Sequence, residues 1–403
     1  MGLVAQAGGG SLGKMSKKEI IVCGGGVAGL AMALGLARKG FDAALLGPAP
    51  PRPTLGPDEY HPRVYAISRA SQGFLESLGV WQMMDARRLT PIEAMEVHGD
   101  TGGAVTLHAW QANQHTLAWI VESGEMERVL QQAIQVYGLS WWKEKFSHLE
   151  GRVVCTETGR RAPFELLVGA DGANSPVRKC VGIPHHSHPY GDNGVVVHLD
   201  AELPHQNIAV QWFLGDSILA LLPMPDTASG HQVSMVWSLR ESAAAEIMAM
   251  DPEARSECLQ ARLEAATGGR LGRLKPRSQP FSFPLFLEHS GMVAPGVALV
   301  SDAAHRVHPL AGQGLNLGLG DVRDLLRILS EKETYRSVGD QRILNRYKRA
   351  RAEPLLAMRL ATDGLHKLFR TEAAPVVALR NLGMHTVDRL PFVKRFLIDG
   401  AAG

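Results

Sequence analysis

Apolar and polar positions divide the chain into short apolar runs and longer stretches of helix-forming residues. Glu19-Ile20-Ile21-Val22-Cys23 has the length and composition of a buried strand, and Leu30 to Lys39 is rich in helix formers and stops at Gly40. Asp42 to Leu46 predicts a second strand, followed by a Pro-rich connection from Pro50 to Pro62. A helix is predicted from Arg63 through Leu78, ended by Gly79. Ala94 to Trp119 alternates and turns often, as in Met95 to Asp100 and Ala104 to His108, and predicts antiparallel strands. Strands are also predicted at Phe164–Val168, Val195–Leu199, Ile208–Leu214, Ile218–Met224, Val233–Trp237 and Val297–Val300. Glu125–Ile134, Ser242–Thr267 and most of the chain after Asp321 predict helix. Strand–helix units at both ends with strands between them imply an α/β fold whose first domain is interrupted by a second, mixed sheet spanning 94–120 and 194–240.

The first strand runs directly into Gly24-Gly25-Gly26-Val27-Ala28-Gly29 and then a helix. A Gly-x-Gly-x-x-Gly turn in that setting is a Rossmann-like dinucleotide signal. Gly24 makes the tight turn, Gly26 admits the pyrophosphate, Gly29 lets helix and strand pack, and Val27 and Ala28 offer N–H groups at the helix start. The end of the second strand should carry an acidic residue for the adenosine ribose, and Gly47 stands there instead. Losing such a partner weakens binding by about ten- to a hundredfold. Gly169-Ala170-Asp171-Gly172 ends another strand, where Asp171 is a cofactor contact or part of a plain turn.

A second candidate site runs from Ser301 to Asp321, between the Val297–Val300 strand and a helix. Pro309, Gly312 and Gly314 let backbone N–H groups approach a ligand at the positive end of that helix, and Asp302 stands where it can accept hydrogen bonds from a polyol. His305 and His308 can carry protons or serve the turn. Trp212, Leu221, Pro223 and Trp237 lie on strands whose Trp, Leu and Met content suits either the wall of an apolar pocket or an ordinary core. Leu355, Leu356, Leu360, Leu365, Leu368 and Phe369, after the basic run Tyr347 to Arg351, form an apolar stripe. It packs on the core or meets a membrane or lipid-like partner.

The chain has 403 residues, enough for two substantial cores. Its 42 basic and 40 acidic side chains give a formal charge of +2, which offers no basis for nucleic acid as a partner. Cys23, Cys155, Cys180 and Cys258 form no Cys-x-x-Cys pair, so neither a structural metal nor a disulfide framework is expected. Met1 to Ser16 reads as a mobile Gly-rich tail without a signal-peptide core, and no run of ~18 apolar residues is present, so a cytoplasmic protein is expected.

The glycine turn, Gly169 to Gly172, and Asp302-Ala303-Ala304-His305 running into Pro309 to Asn316 together resemble the single-component FAD-dependent aromatic hydroxylases of the para-hydroxybenzoate hydroxylase type. Arg63 to Ser68, Leu78-Gly79, Trp81, Leu221-Leu222-Pro223 and Arg380 to Met384 with Asp388 narrow the likeness to the ubiquinone-biosynthesis hydroxylases, over about Lys18 to Gly403. The resemblance implies a glutathione-reductase-like FAD-binding domain interrupted by a mixed-sheet substrate domain, with C-terminal helices. FAD would be held by the glycine turn, Arg63, Ser123, Asp171 and Asp302, with Pro309, Gly312, Gln313, Gly314, Leu315 and Asn316 along the flavin. Arg63 could otherwise be an ordinary solvated arginine. Two positions depart from the family, which has Gly at 301 and Glu at 47, and relatives often have Asn or Arg at 123.

The implied division is a tail (1–17), FAD-binding segments (18–93, 121–186, 276–345), substrate-domain segments (94–120, 187–275) and a C-terminal helical region (346–403). In such enzymes NAD(P)H reduces the flavin, O2 adds as a hydroperoxide, and an electron-rich phenol takes the distal oxygen. The expected activity is ring hydroxylation of a polyprenylated phenol in ubiquinone biosynthesis, with a peripheral membrane or a quinone-biosynthesis complex as a further partner. Hydroxylation of another aromatic compound, or a flavin-poor scaffold role in such a complex, are the alternatives.

Overall fold

A computed structural model describes residues 18–51, 55–56, 58–100, 102–307, 313–370 and 394, with only the helical backbone for 365–367, 369 and 370. The chain begins with β1 (Lys18–Cys23), α1 (Val27–Arg38), β2 (Ala43–Leu46), β3 (Val64–Ser68) and α2 (Arg69–Ser77). β4 (Leu89–Ile92), β5 (Ala94–His98), β6 (Ala104–His108), β7 (Ala118–Glu122) and α3 (Ser123–Val136) follow. Next come β8 (Ser140–Trp142), β9 (Phe146–Glu150), β10 (Val153–Thr156), β11 (Arg161–Gly169) and α4 (Pro176–Cys180). The long strands β12 (His185–Ala201), β13 (Ile208–Phe213), β14 (Ile218–Thr227) and β15 (Gly230–Arg240) lead to α5 (Glu241–Ala249) and α6 (Pro252–Thr267). The remainder is β16 (Leu274–Pro276), β17 (Phe281–Ser290), β18 (Val293–Ala294), β19 (Val297–Leu299), β20 (His305–Arg306), α7 (Gly314–Ser330) and α8 (Gln341–Arg370).

These elements build three sheets. The first has the order β18-β19-β11-β1-β2-β8, and β19, β11, β1, β2 and β8 are parallel. Its strands are apolar on both faces because helices cover them: β2 is buried throughout, and so is α1 from Val27 to Leu36. α1 and α7 approach closely at Gly35, where an added Cβ would lie 2.3 Å from Leu326 Cδ1. The second sheet has the order β20-β17-β12-β15-β14-β13-β5-β6, and a small sheet, β3-β7-β4, lies between the two cores.

Three expectations change. Residues 64–68 are a strand paired with β7, because Val64 and Ala66 feed the apolar cluster with Leu222 and Met224 while Tyr65 and Ile67 pack the other way. The helix begins only at Arg69, where Ser68 Oγ accepts the Ser71 N–H. Residues 242–267 form two helices, since Asp251 caps a new start through the Glu253 and Ala254 N–H groups, with Pro252 in the first turn. Finally, β17 pairs with β12 in the second sheet, so the chain rejoins the first sheet at β18 and β19. β5 and β6 join the second sheet as the alternation of 94–108 implies, with β5 parallel to β13.

Candidate functional site

The site begins where β1 ends. Gly24 has φ +128, and a Cβ there would lie 2.0 Å from the Ala170 carbonyl oxygen. A Cβ on Gly29 would meet the Gly24 oxygen at 2.0 Å. Gly26 differs: its Cβ would have nothing within 4 Å. The space is open, and it lies at the N-terminus of α1, which has no side-chain cap and no acidic residue in its first turn. Uncapped N–H groups and a positive dipole end facing open space fit a pyrophosphate.

α7 presents a second N-terminus of the same kind. Gln313 makes no side-chain cap there and the first turn holds no acid, so the Gly314, Leu315 and Asn316 N–H groups have no helical acceptor. Pro309 and Gly312, together with His308, lie outside the described residues. The α1 start follows β1 directly and the α7 start follows β19 after the Ser301 turn and β20. β1 and β19 are parallel strands of the first sheet, and ligands of open α/β sheets bind beyond such carboxyl ends.

Asp302 stands between these two starts in sequence and in chemistry. Its carboxylate accepts no hydrogen bond among the described residues. Burial raises its pKa, and Arg63 opposes that rise. Arg63 also lies over the Tyr65 ring, 5.6 Å from its centroid, while the Tyr65 hydroxyl is pushed up by burial. The structure thus brings Arg63, Tyr65 and Asp302 together from segments far apart in sequence. An unpaired acceptor beside a cation suits the hydroxyls of a ribityl chain. The residues present fit FAD.

Other expected site residues are engaged locally. Asp171 accepts from Ser175 Oγ at 2.5 Å and Val177 N at 3.0 Å, so its carboxylate caps α4, and burial raises its pKa. Arg178, buried beside it, donates to the Ala303 carbonyl at 2.7 Å and so ties this turn to the Asp302 segment. Asn316 accepts from Ser68 N and donates to Ala66 O, fastening β3 to α7. The His61 Nδ1 accepts the Arg63 N–H, which makes Ser123 the donor in their 2.8 Å contact. At Gly47, φ is +148, and Trp141 Nε1 donates to its carbonyl at 2.9 Å. No L side chain adopts that backbone readily, so the missing ribose carboxylate reflects the shape of this turn.

The expected pocket residues need correction. Trp212, Leu221 and Trp237 are buried in a cluster with Ala244 and Ile247 of α5 and Leu259 and Leu263 of α6. Pro223 pairs with Val233 of the same cluster and shares that face. They form the core under the helices. The alternate residues, among them Val196, His198, Ala220, Leu222, Ser234 and Val236, turn to the face that meets the small sheet.

The sequence concealed one centre altogether. Asp321, fully buried, accepts from Ser301 N (2.8 Å), His305 Nε2 (2.6 Å) and Arg351 Nε (2.7 Å). Burial pushes its carboxyl up, but His305, Arg351 and the Ser301 N–H outweigh this and hold it below the usual range. His305 is therefore a structural partner of the turn. Arg351 is buried rather than part of a basic surface, and Tyr347, also buried, donates to the Leu299 carbonyl. Among the described residues, His148, Glu150 and Cys155 also converge on β9 and β10, where Arg161 already pairs with Glu150.

Comparison with known proteins agrees with this geometry. The pattern of the FAD binding domain family matches residues 17–359. The ubiquinone hydroxylase UbiL of Rhodospirillum rubrum is 32% identical over 398 residues, covering 96% of this chain and 89% of that protein. The 3-demethoxyubiquinol 3-hydroxylase of Escherichia coli is 31% identical over 393 residues, covering 96% and 98%. Among solved structures, the p-nitrophenol 4-monooxygenase PnpA of Pseudomonas putida superposes with a TM-score of 0.74 at 14% identity, covering 96% of this chain and 98% of that one, which establishes the fold. The chain therefore belongs to the FAD binding domain family and, within it, to the FAD-dependent hydroxylases of ubiquinone biosynthesis.

Proposed function

We propose that the protein hydroxylates the aromatic ring of a polyprenylated phenol on the way to ubiquinone, with O2 as oxygen donor and NAD(P)H as reductant. The observation that carries this reading is the pair of uncapped helix starts at α1 and α7 with the unpaired Asp302 carboxylate. FAD, when bound, supplies the redox chemistry and the activation of O2. The chain supplies binding and charge. The α1 start with Gly24, Gly26, Val27, Ala28 and Gly29 holds the pyrophosphate. Asp302 and Arg63 would hold the ribityl side, and the N–H groups of Gly314 to Asn316 would favour negative charge on the bound cofactor. The half-buried Val196, Ala220, Leu222 and Val236 offer an apolar wall that keeps water from the ring.

A cytoplasmic protein in peripheral contact with a membrane, where a prenylated substrate partitions, fits the exposed Leu356, Leu360 and Leu368 of α8. Among the described residues no helix is long and apolar enough to cross one. The flavin-poor scaffold reading rests on Gly47 and Ser301, and a visible spectrum separates it from the enzyme. Absorption near ~450 nm after incubation with FAD is expected, and its absence would rule out both hydroxylase readings. Complementation of strains that each lack one ring hydroxylase tests the substrate, since failure in all of them would remove the ubiquinone assignment.

A further inference from the structure

The face of the second sheet that meets the small sheet holds two adjacent buried polar atoms with no partner among the described residues. His198 of β12 and Ser234 of β15 stand directly opposite one another in the antiparallel ladder. His198 Nε2 lies 2.9 Å from the His61 carbonyl oxygen. A carbonyl only accepts, so Nε2 carries the proton and Nδ1 keeps a free lone pair. Among the described residues neither that Nδ1 nor Ser234 Oγ has a hydrogen-bond partner, although the residues are 3% and 0% exposed. Unmade buried hydrogen bonds are costly, and two side by side mark a place that takes an added polar group.

Their surroundings define that group. His198, Ser234 and Leu222 form one row across β12, β15 and β14, and Val196, Val236 and Ala220 form the next row on the same face. The apolar four of these six are only half-buried. Leu222 packs against the same apolar cluster as Val64 and Ala66, which follow the Arg63 that stands by Asp302, and the Tyr60 ring is edge-on to His198 at 6.0 Å. The place is therefore an apolar wall ending in one hydrogen-bond acceptor and one hydroxyl, on the face that meets the small sheet whose first strand follows Arg63.

We propose that His198 and Ser234 bind the ring hydroxyl of the substrate. His198 Nδ1 accepts its O–H, Ser234 Oγ donates to its oxygen, and Val196, Ala220, Leu222 and Val236 hold the ring. This subsite rests on the hydroxylase reading above, and it makes the protein selective for a free phenol over the corresponding ether. An ether offers no proton to Nδ1, which stays unpaired while a methyl group crowds Ser234.

The test compares a short-chain prenylated phenol with its methyl ether by titration calorimetry on the FAD-loaded protein, which reads binding without turnover. Hydroxylated product is measured separately. The wild type is expected to bind the phenol at least about tenfold more tightly than the ether. In His198→Leu the two affinities converge to within about twofold, and in Ser234→Ala the preference shrinks. His198→Gln, whose amide can donate to the His61 carbonyl and still offer an acceptor, restores most of the preference. Unchanged discrimination in His198→Leu and Ser234→Ala, with only thermal stability altered, would show that the pair holds an ordered water only and overturn the proposal. Equal binding of phenol and ether by the wild type, or binding of neither, overturns it too. Should His198→Leu not fold, Ser234→Ala and His198→Gln carry the same comparison. Selective phenol binding without product would instead leave the subsite standing and sink the hydroxylase reading.

Discussion

Gly26 and Gly29 are three residues apart and respond oppositely to the same methyl group. Gly26→Ala meets open space at a φ of −75, so the cofactor-free protein should keep its Tm while FAD affinity falls at least about tenfold, as read by flavin fluorescence. Gly29→Ala collides with backbone at 2.0 Å and should lower the Tm before any ligand is added. Equal Tm losses in the two variants would contradict the assignment of open space at Gly26. Ser301 has a φ of +57, which glycine adopts freely and serine adopts at a cost of about 1–2 kcal/mol. The added freedom of the unfolded glycine chain offsets about 0.4–1 kcal/mol of this. Ser301→Gly should thus raise stability by about 1 kcal/mol or less, measured by urea unfolding. The departures at 301 and 47 were visible in the sequence, but the positive φ at both positions, which suits Gly47 and strains Ser301, is a backbone angle that residue identity alone does not reveal.

At the scale of elements, the Asp321 centre joins the start of the Ser301 turn, β20, α7 and α8. Its partners lie 16 to 30 residues away, and no spacing rule links them. Asp321→Asn should cost about 3–5 kcal/mol, since it leaves Arg351 buried without its charge partner. The pH dependence follows from the depressed carboxyl. Its stabilising contribution is complete above the unfolded pKa of about 3.9 and is lost as pH falls through the lower folded value. Urea unfolding of the wild type should therefore show stability falling on acidification below about pH 4, with a shallower fall in Asp321→Asn. A steeper fall in the variant would contradict the account. The sequence made the β1–turn–α1 unit legible because strand, glycines and helix are contiguous. It left open whether Trp212, Leu221, Pro223 and Trp237 line a pocket or a core, because alternation identifies two faces without saying which one α5 and α6 will cover.

Across the whole molecule, the segment 58–63 couples the two cores. Arg277 donates to Asp58 O, the Tyr60 hydroxyl to Pro225 O and His198 to His61 O, so the second sheet holds the chain that leads to Arg63. The family was legible because the motifs span the chain in order. The coupling was not, because it depends on contacts between a loop and strands that lie far apart in sequence. The exposed leucines of α8 predict weaker sedimentation with anionic vesicles for Leu356→Glu combined with Leu360→Glu, with FAD binding unchanged. Vesicle binding equal to the wild type would remove α8 as the contact. The central claim, that this protein inserts an oxygen atom from O2 into a phenol, is tested most directly by supplying heavy-isotope O2, FAD, NAD(P)H and a prenylated phenol to the purified protein. One heavy oxygen in the ring of the product is the predicted mass-spectrometric result. A flavin-loaded protein that consumes NAD(P)H and leaves the phenol unlabelled would contradict the account.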